Sequence, residues 1–492
     1  MSLRRGLVWM SLSQGGFFIL QFGGSVVLAR LLTPYEMGIY AFAAAVTGVL
    51  SAIQAFGLAG FIVREHDLNP DLLASTFTVN TALAVILAAA VASLSTFGSR
   101  FLHEAGVQHV MLVLALLPLL GALEFVPSTS LERHGQFKAI SLVSLARMLA
   151  STATTVALAF AGFSYMSIAY GSLAGAIVSV ASFNLVGRRH VSLRLSLSEW
   201  RRITRFGLQM MAISGVNAVS TRLAELLMGR LLGLSALGLY SRASSLNGLL
   251  WDNIHMVIGR VVFVDLAEVR RRGVSLRETY LRTVEMVTAL LWPAFAGFAV
   301  LAGPLIQTVY GSKWIGAAVP LSLLSISAIV LVSITMTWEI FVVCEETGRQ
   351  ARFETFRTGV GLVLFVGGCL VSLNGAAAVR IAEALFAVVL YRPHLDRMTQ
   401  TTAGDFVSIY LRSALLTAAA IGPSVAVMTA CGWSAQTPIG YVLAAVAGGV
   451  LTWLLALRLM RHALSAELTK ILAIVRRKIA ASTAGIAKSG ST

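Results

Sequence analysis

The residues best placed to do chemistry in this sequence are charges that stand where charge is expensive. Arg147, Arg222, Arg242, Arg260, Arg380 and Arg412 fall inside long apolar runs, as do Glu124, Asp252, Glu285 and Glu339. An ionisable side chain inside a membrane costs roughly 2.5–3.5 kcal/mol on insertion scales, so each needs a partner, a route to the surface or a function. Arg260 and Arg412 lie near the ends of their runs, where a long side chain reaches the interface. Glu285 and Glu339 lie near an edge and read as solvated. Arg242 and Arg380 stand about one helical turn from an edge and are open to both readings. Arg147 and Arg222 are deeper, which favours a cavity. Arg222 and Glu225 are three residues apart, as are Arg380 and Glu383, so each pair can close on one helix face.

Other chemistries find little support. Cys344, Cys369 and Cys431 fall in or beside apolar segments without metal-like spacing, so neither a disulfide nor a metal is expected. No Ser/His/Asp set and no nucleotide motif is present, so no catalytic residue is nominated and no cofactor is expected.

The elements that must carry these charges are membrane helices. Charged residues are 12% of the 492 and hydrophobic residues 57%, with a mean hydropathy of +0.81. A soluble chain carries roughly 25% charged residues. The apolar runs are uninterrupted and about 20 residues long, the length of a helix across the hydrocarbon core, and they do not alternate as barrel strands do. Fourteen candidate spans follow: 7–29, 38–63, 73–97, 108–128, 139–161, 165–186, 207–229, 238–263, 283–308, 317–343, 356–374, 376–392, 408–430 and 439–460. The first follows Arg4 and Arg5 and could mimic a signal peptide, but its length favours an uncleaved helix.

Loop charge supports that count. Loops on the side of the two termini hold 28 Lys and Arg residues, and the opposite loops hold four, Arg30, Arg100, Arg230 and Lys313. Such a bias places both ends in the cytoplasm. The net charge of +16 is then read as contact with anionic headgroups and not with nucleic acid. Pro118 and Pro127, Pro293 and Pro304, and Pro423 each remove a hydrogen bond within a span and favour kinks.

Residues 29–43, ARLLTPYEMGIYAFA, recur as 229–243, GRLLGLSALGLYSRA, pairing Arg30 with Arg230, Gly38 with Gly238 and Tyr40 with Tyr240. Each copy follows the first span of a group of six. The expected organisation is a six-helix bundle over 1–186, an amphipathic cytoplasmic linker over 187–206, a second six-helix bundle over 207–394, two appended helices over 395–462 and a basic amphipathic tail over 463–492. An even number of helices per bundle relates the halves by an axis along the membrane normal. In the linker, Ser196 and Glu199 predict a capping box opening a short interfacial helix. Arg30 and Arg230 are read as snorkelling at the outer boundary, and Tyr40 and Tyr240 as interfacial anchors.

This organisation, with ARLLTPYEMGIYAFA after the first span, LGLYSRASSL after the seventh and VYGSKWIGAA at 309–318, resembles the polysaccharide transport (Wzx-like) branch of the multidrug/oligosaccharidyl-lipid/polysaccharide exporter superfamily. The resemblance implies two bundles around a cavity and movement of a polyprenyl-pyrophosphate-linked oligosaccharide from the inner to the outer leaflet of the bacterial inner membrane. It implies as partners that lipid, anionic lipids, and the glycan polymerase and export machinery that follow. In the lipid II flippases, arginines inside the first helix contact the pyrophosphate; this chain departs from that pattern, with only Gln14 and Gln21 before Arg30. Arginine holds phosphate oxygens bidentately at any relevant pH. Arg222, Arg147, Arg242 and Arg380 are therefore nominated for the substrate, and Asp252, Glu225, Glu383 and Glu124 for pairing or ion coupling. A drug exporter of the same superfamily, which favours acidic cavity groups, and a membrane glycan polymerase or ligase, which favours a large outer loop, are the alternatives.

Overall fold

The computed structural model describes residues 16, 20–54, 58, 62, 70–187, 194–462, 464 and 465; within them the side chains of 52–54, 99, 101–102, 206, 208–218, 252–258 and 260–261 lie outside the description. The fold is all-α, and no strand occurs among the described residues. Among the described residues, ten helical segments are long and apolar enough to cross a membrane by length and composition. The protein is a multi-pass membrane protein.

Most of the first apolar run and the end of the second lie outside the described residues; where their residues are described, the runs coincide with a helix or with two helices separated by a break. We number them α1 (Leu20–Leu31), α2 (Pro34–Gln54), α3 (Pro70–Leu102), α4 (Ala105–Leu114), α5 (Leu116–Arg133), α6 (Phe137–Phe160), α7 (Met166–Val186) and α8 (Trp200–Leu231). There follow α9 (Leu234–Arg271), α10 (Arg277–Val309), a 3₁₀ turn (Ser312–Ala317), α11 (Ala318–Val332), α12 (Thr337–Val343), α13 (Thr347–Val371), α14 (Leu373–Thr399), α15 (Ala403–Ala430) and α16 (Ile439–Leu459).

Two runs are broken for different reasons. Pro118 has no N–H to offer Leu114, and the fourth run divides at Ala115 into α4 and α5. The tenth run divides at 333–336, where bonds tighten to the i→i+3 kind and Met336 takes φ 62°. No Pro or Gly stands there, and the sequence predicted a continuous span. Pro127, Pro293, Pro304 and Pro423 are all accommodated inside helices.

The linker also differs from its expectation. Ser196 does not cap a helix: its Oγ pairs with Ser198 at 3.2 Å, and α8 starts at Trp200 with no side-chain cap. The helix then runs unbroken for 32 residues, so no separate interfacial helix forms over the described part. Ile203 explains the continuity, since it is fully buried against Leu58 and Leu72 and anchors the first turn of α8 in the bundle.

The chain forms two compact units. The first comprises residues up to Arg242 together with Val309–Gly316 and Glu354–Ala376. In it α6 and α7 pack along their length, and α2 packs on α8, α4 and α3. Gly171 and Gly175 of α7 leave room for Thr155 Oγ1 and the Arg147 carbonyl of α6, which sets α6 close to α7. The second unit comprises Ala243–Thr308, Ala317–Phe353 and the chain from Ala377. Its core gathers Tyr280, Phe295, Phe341, Leu395 and Phe406, and α15 and α16 pack side by side.

Candidate functional site

A cavity of about 440 Å³ opens in the first unit, and polar side chains are set into its largely apolar wall. From α6 come Ser144, Arg147, the adjacent Ser151 and Thr152, and Thr155, each about one turn after the last, so that they form one stripe down the helix. Gln21 and Ser25 of α1, Tyr40 of α2 and Arg242 of α9 complete the polar set. Gly24 of α1 faces Thr152, where a Cβ would stand 2.7 Å from Cγ2, so the two helices meet closely at the wall. Among the described residues, no carboxylate lines this cavity.

Arg242 closes one end of it. The side chain is 6% exposed, and Nη1 donates to Ser25 Oγ while Nη2 lies 3.7 Å from Met37 Sδ. Its guanidinium lies over two rings, 5.0 Å from the centre of Tyr310 and 5.3 Å from that of Trp314. Nε is buried without a hydrogen-bond partner, and no described carboxylate pairs with the group. Cation–π contacts supply about 0.5–2 kcal/mol each, less than the several kcal/mol lost when a charge leaves water. Arg242 is therefore a buried cation whose charge no carboxylate among the described residues compensates. It does not snorkel, and this corrects one of the two readings its position allowed.

The rings that hold Arg242 belong to the VYGSKW stretch. Gly311 turns the chain at φ +96°, a conformation a side chain would oppose. Trp314, fully buried, donates its indole N–H to the Ala29 carbonyl at 2.7 Å, which ties the turn to the end of α1. Tyr310 Oη lies 3.3 Å from Ser25 Oγ. Arg30 is exposed and also donates Nε–H to the Val309 carbonyl at 3.1 Å, so it holds this turn as well as facing outward.

The remaining nominated charges are distributed unevenly. Arg147 is half exposed at the cavity wall and stands 3.4 Å from Glu124 of α5, whose Oε2 is buried without a hydrogen bond. Arg222 pairs with Glu225 at 2.8 Å on α8, and its guanidinium lies on Gly48 of α2. Arg380 and Glu383 pair in the second unit, on α14. Both i,i+3 pairs form as their spacing predicts. Arg412 and Glu285 stand 3.7 Å apart, with His462 3.4 Å from the same carboxylate. Asp252 falls on α9, and its side chain, like that of Arg260, lies outside the described residues. Of the four nominated arginines, the structure brings Arg147 and Arg242 to one cavity. The α6 hydroxyl stripe was not singled out from the sequence, although its helical spacing is a readable signal.

The repeated motif has a structural meaning of its own. Thr33, Pro34, Tyr35 and Glu36 form a capping box at the start of α2: the Glu36 carboxylate accepts the Thr33 N–H at 2.7 Å, and Thr33 Oγ1 faces the Glu36 N–H at 3.3 Å. The second copy has Gly233, at φ +86°, in place of Thr33. Tyr240 is 7% exposed and packs edge-on against Phe365, so it is a core residue and not an interfacial anchor.

A family model described as "Polysaccharide biosynthesis protein" matches residues 27–319, from the end of α1 through the 3₁₀ turn that holds Trp314. The chain belongs to this family. Among curated proteins it is 26% identical over 329 residues to the succinoglycan biosynthesis transport protein ExoT of Rhizobium meliloti (strain 1021), covering 66% of each chain. It is 23% identical over 371 residues to the lipopolysaccharide biosynthesis protein WzxC of Escherichia coli (strain K12), covering 74% of each. The chain thus spans about two thirds to three quarters of the length of these relatives. Among solved structures, the lipid II flippase MurJ in an inward closed conformation superposes with a TM-score of 0.76 at 13% identity, over 92% of this chain and 98% of that one. An inward-facing multidrug resistance MATE transporter follows at 0.55 and 15% identity, over 82% and 97%. These likenesses show the fold alone, the one shared by those two solved structures.

Proposed function

We propose that the protein flips a polyprenyl-pyrophosphate-linked oligosaccharide from the inner to the outer leaflet of the bacterial inner membrane, by alternating access. The observation that carries this reading is Arg242, a buried guanidinium with no carboxylate partner among the described residues, on the wall of a cavity that also carries several hydroxyls. A pyrophosphate supplies the missing anion, and guanidinium binds its oxygens through paired N–H donors. Ser144, Ser151 and Thr152 offer hydroxyls of the kind that exchange hydrogen bonds with a glycan. Arg147 is the second cation on that wall. In the second unit an apolar groove of about 330 Å³, between α10, α15 and α16, is lined by residues such as Pro293, Phe298 and Val446 and suits a polyprenyl chain.

The relatives named as polysaccharide and lipopolysaccharide biosynthesis proteins support the substrate class. A transporter of cationic drugs would want acids on the wall, and the described lining has none. A polymerase or ligase would need reactive groups in a folded outer loop, for which the short outer connections leave little space. The loop-charge bias supports cytoplasmic termini. The fourteen-span count, the bundles over 1–186 and 207–394, the linker and tail, and a hand-over to a glycan polymerase and export machinery are parts of this proposal.

Replacing Arg242 tests it. In cells lacking the native copy, Arg242→Gln should abolish polysaccharide export and trap the lipid-linked oligosaccharide on the inner leaflet, with the protein at normal level in the membrane. Arg242→Lys, which keeps charge without the bidentate fork, should retain only a small part of export. Normal export from Arg242→Gln would remove the basis of the reading.

A further inference from the structure

Gly38 and Gly238, equivalent in the repeated motif, touch each other's helices reciprocally. A Cβ on Gly38 would stand 1.9 Å from the Leu234 carbonyl oxygen, and one on Gly238 would stand 2.0 Å from that of Pro34. Pro34 and Leu234 are the first residues of α2 and α9, each four residues before its glycine. The first turns of the two helices therefore press together, backbone on backbone, about a local two-fold axis. One turn below Gly238 on α9 is Arg242, buried beside Ser25 of α1, Met37 of α2 and the Tyr310–Trp314 turn. The same three groups, Ser25, Met37 and Arg242, line the end of the cavity.

We propose that this glycine seam is the outer seal of the cavity and that Arg242 is its anion-sensitive release. Close backbone packing at the seam gives the closed state its fit. Arg242, anchored by one hydroxyl, one thioether and two rings with Nε unpartnered, is held by neutral groups among the described residues. An anionic group entering the cavity offers Arg242 charge-assisted bonds that no present neighbour matches. Drawing the guanidinium inward frees Ser25, Tyr310 and Trp314, the contacts that tie α9 to α1 and to the turn behind it. Opening outward then follows arrival of the anion and does not precede it. This deepens the flippase reading and rests on it for the identity of the anion, whereas the seal itself is independent of it.

The test is thiol labelling of the full-length protein. Ser144, on α6 behind the seal, is replaced by Cys in a chain whose Cys344, Cys369 and Cys431 are Ala. Right-side-out membrane vesicles receive a membrane-impermeant maleimide from outside, with or without sodium pyrophosphate trapped in the lumen. Labelling should be slow without pyrophosphate and at least about fivefold faster with it. Arg242→Gln and Trp314→Phe should both label fast without pyrophosphate, and Arg242→Gln should lose the response to it. Slow labelling in both variants, each recovered from the membrane at normal level, would overturn the seal. Fast labelling in the variants with no pyrophosphate response in the parent would leave the seal standing and overturn the anion release; the flippase reading is judged separately, by export from Arg242→Gln.

Discussion

Arg147 and Glu124 show how a single pair divides between structure and function. Arg147 is half exposed at the cavity wall, whereas Glu124 is largely buried and one of its oxygens has no hydrogen bond. Removing the arginine strands the carboxylate, and removing the carboxylate leaves an arginine that water can still reach. Arg147→Gln should therefore lower stability by about 1 kcal/mol, because exposure discounts the larger cost of a fully buried pair. Glu124→Gln should be nearly neutral, and the double variant should recover the stability while still exporting poorly. Unfolding midpoints in detergent and an export assay separate the two effects. A double variant as unstable as Arg147→Gln would show that the pair is not what holds Glu124. The sequence located both charges, but it could not rank them against Arg222. Depth along a span is legible in one dimension, whereas the face a residue presents depends on its neighbours. Arg222 is deeper by count, yet its partner Glu225 is three residues away on its own helix. Arg242 is nearer an edge, and its cage comes from residues as distant as Trp314.

At the scale of elements, the sequence fared best where local rules operate. The apolar runs coincide with helices because run length alone sets a span. Pro118 broke a helix because the missing N–H is a local fact. The break at 333–336 carries no such mark, and the start of α8 was displaced because burial of Ile203 outweighed a capping signal at Ser196. The capping box at Thr33 and Glu36 is a signature of the same kind as the failed one, and it formed. Thr33→Ala should cost about 1 kcal/mol. Burial pushes the Glu36 carboxyl up, but the hydroxyl of Ser164, the N–H and hydroxyl of Thr33, and the charge of Lys313 outweigh it, so its pKa is lowered. A carboxyl lowered on folding contributes stability above its unfolded pKa and loses it as pH falls through the folded value. The acid limb of unfolding should flatten in Glu36→Gln, with stability in the variant lower at neutral pH and converging with the parent at low pH. Parallel curves for the two proteins would exclude the box as the source.

At the scale of the whole molecule, the two copies of the repeated motif meet. Two hundred residues separate Gly38 from Gly238, and no local rule predicts that they share one contact; equivalence in sequence gave the symmetry, and the fold supplied the touch. Helical glycines usually cost about 1 kcal/mol relative to alanine, so their retention needs a reason. At Gly359 of α13 nothing lies within 4 Å of a built Cβ, and Gly359→Ala should be neutral or stabilising by up to about 1 kcal/mol. Gly38→Ala and Gly238→Ala face backbone carbonyls, which cannot rotate aside as a side chain does. Each should instead destabilise by about 1–3 kcal/mol, the range for overpacked sites. Because one seam accommodates both, the first methyl separates the helices and makes room for the second. The double variant should therefore cost clearly less than the sum of the singles, as coupled neighbours do. Thermal unfolding in nanodiscs of the parent, the two single variants, the double variant and Gly359→Ala measures this. Additive losses would mean two unrelated contacts, and a Gly38→Ala protein as stable as Gly359→Ala would mean no seam at all.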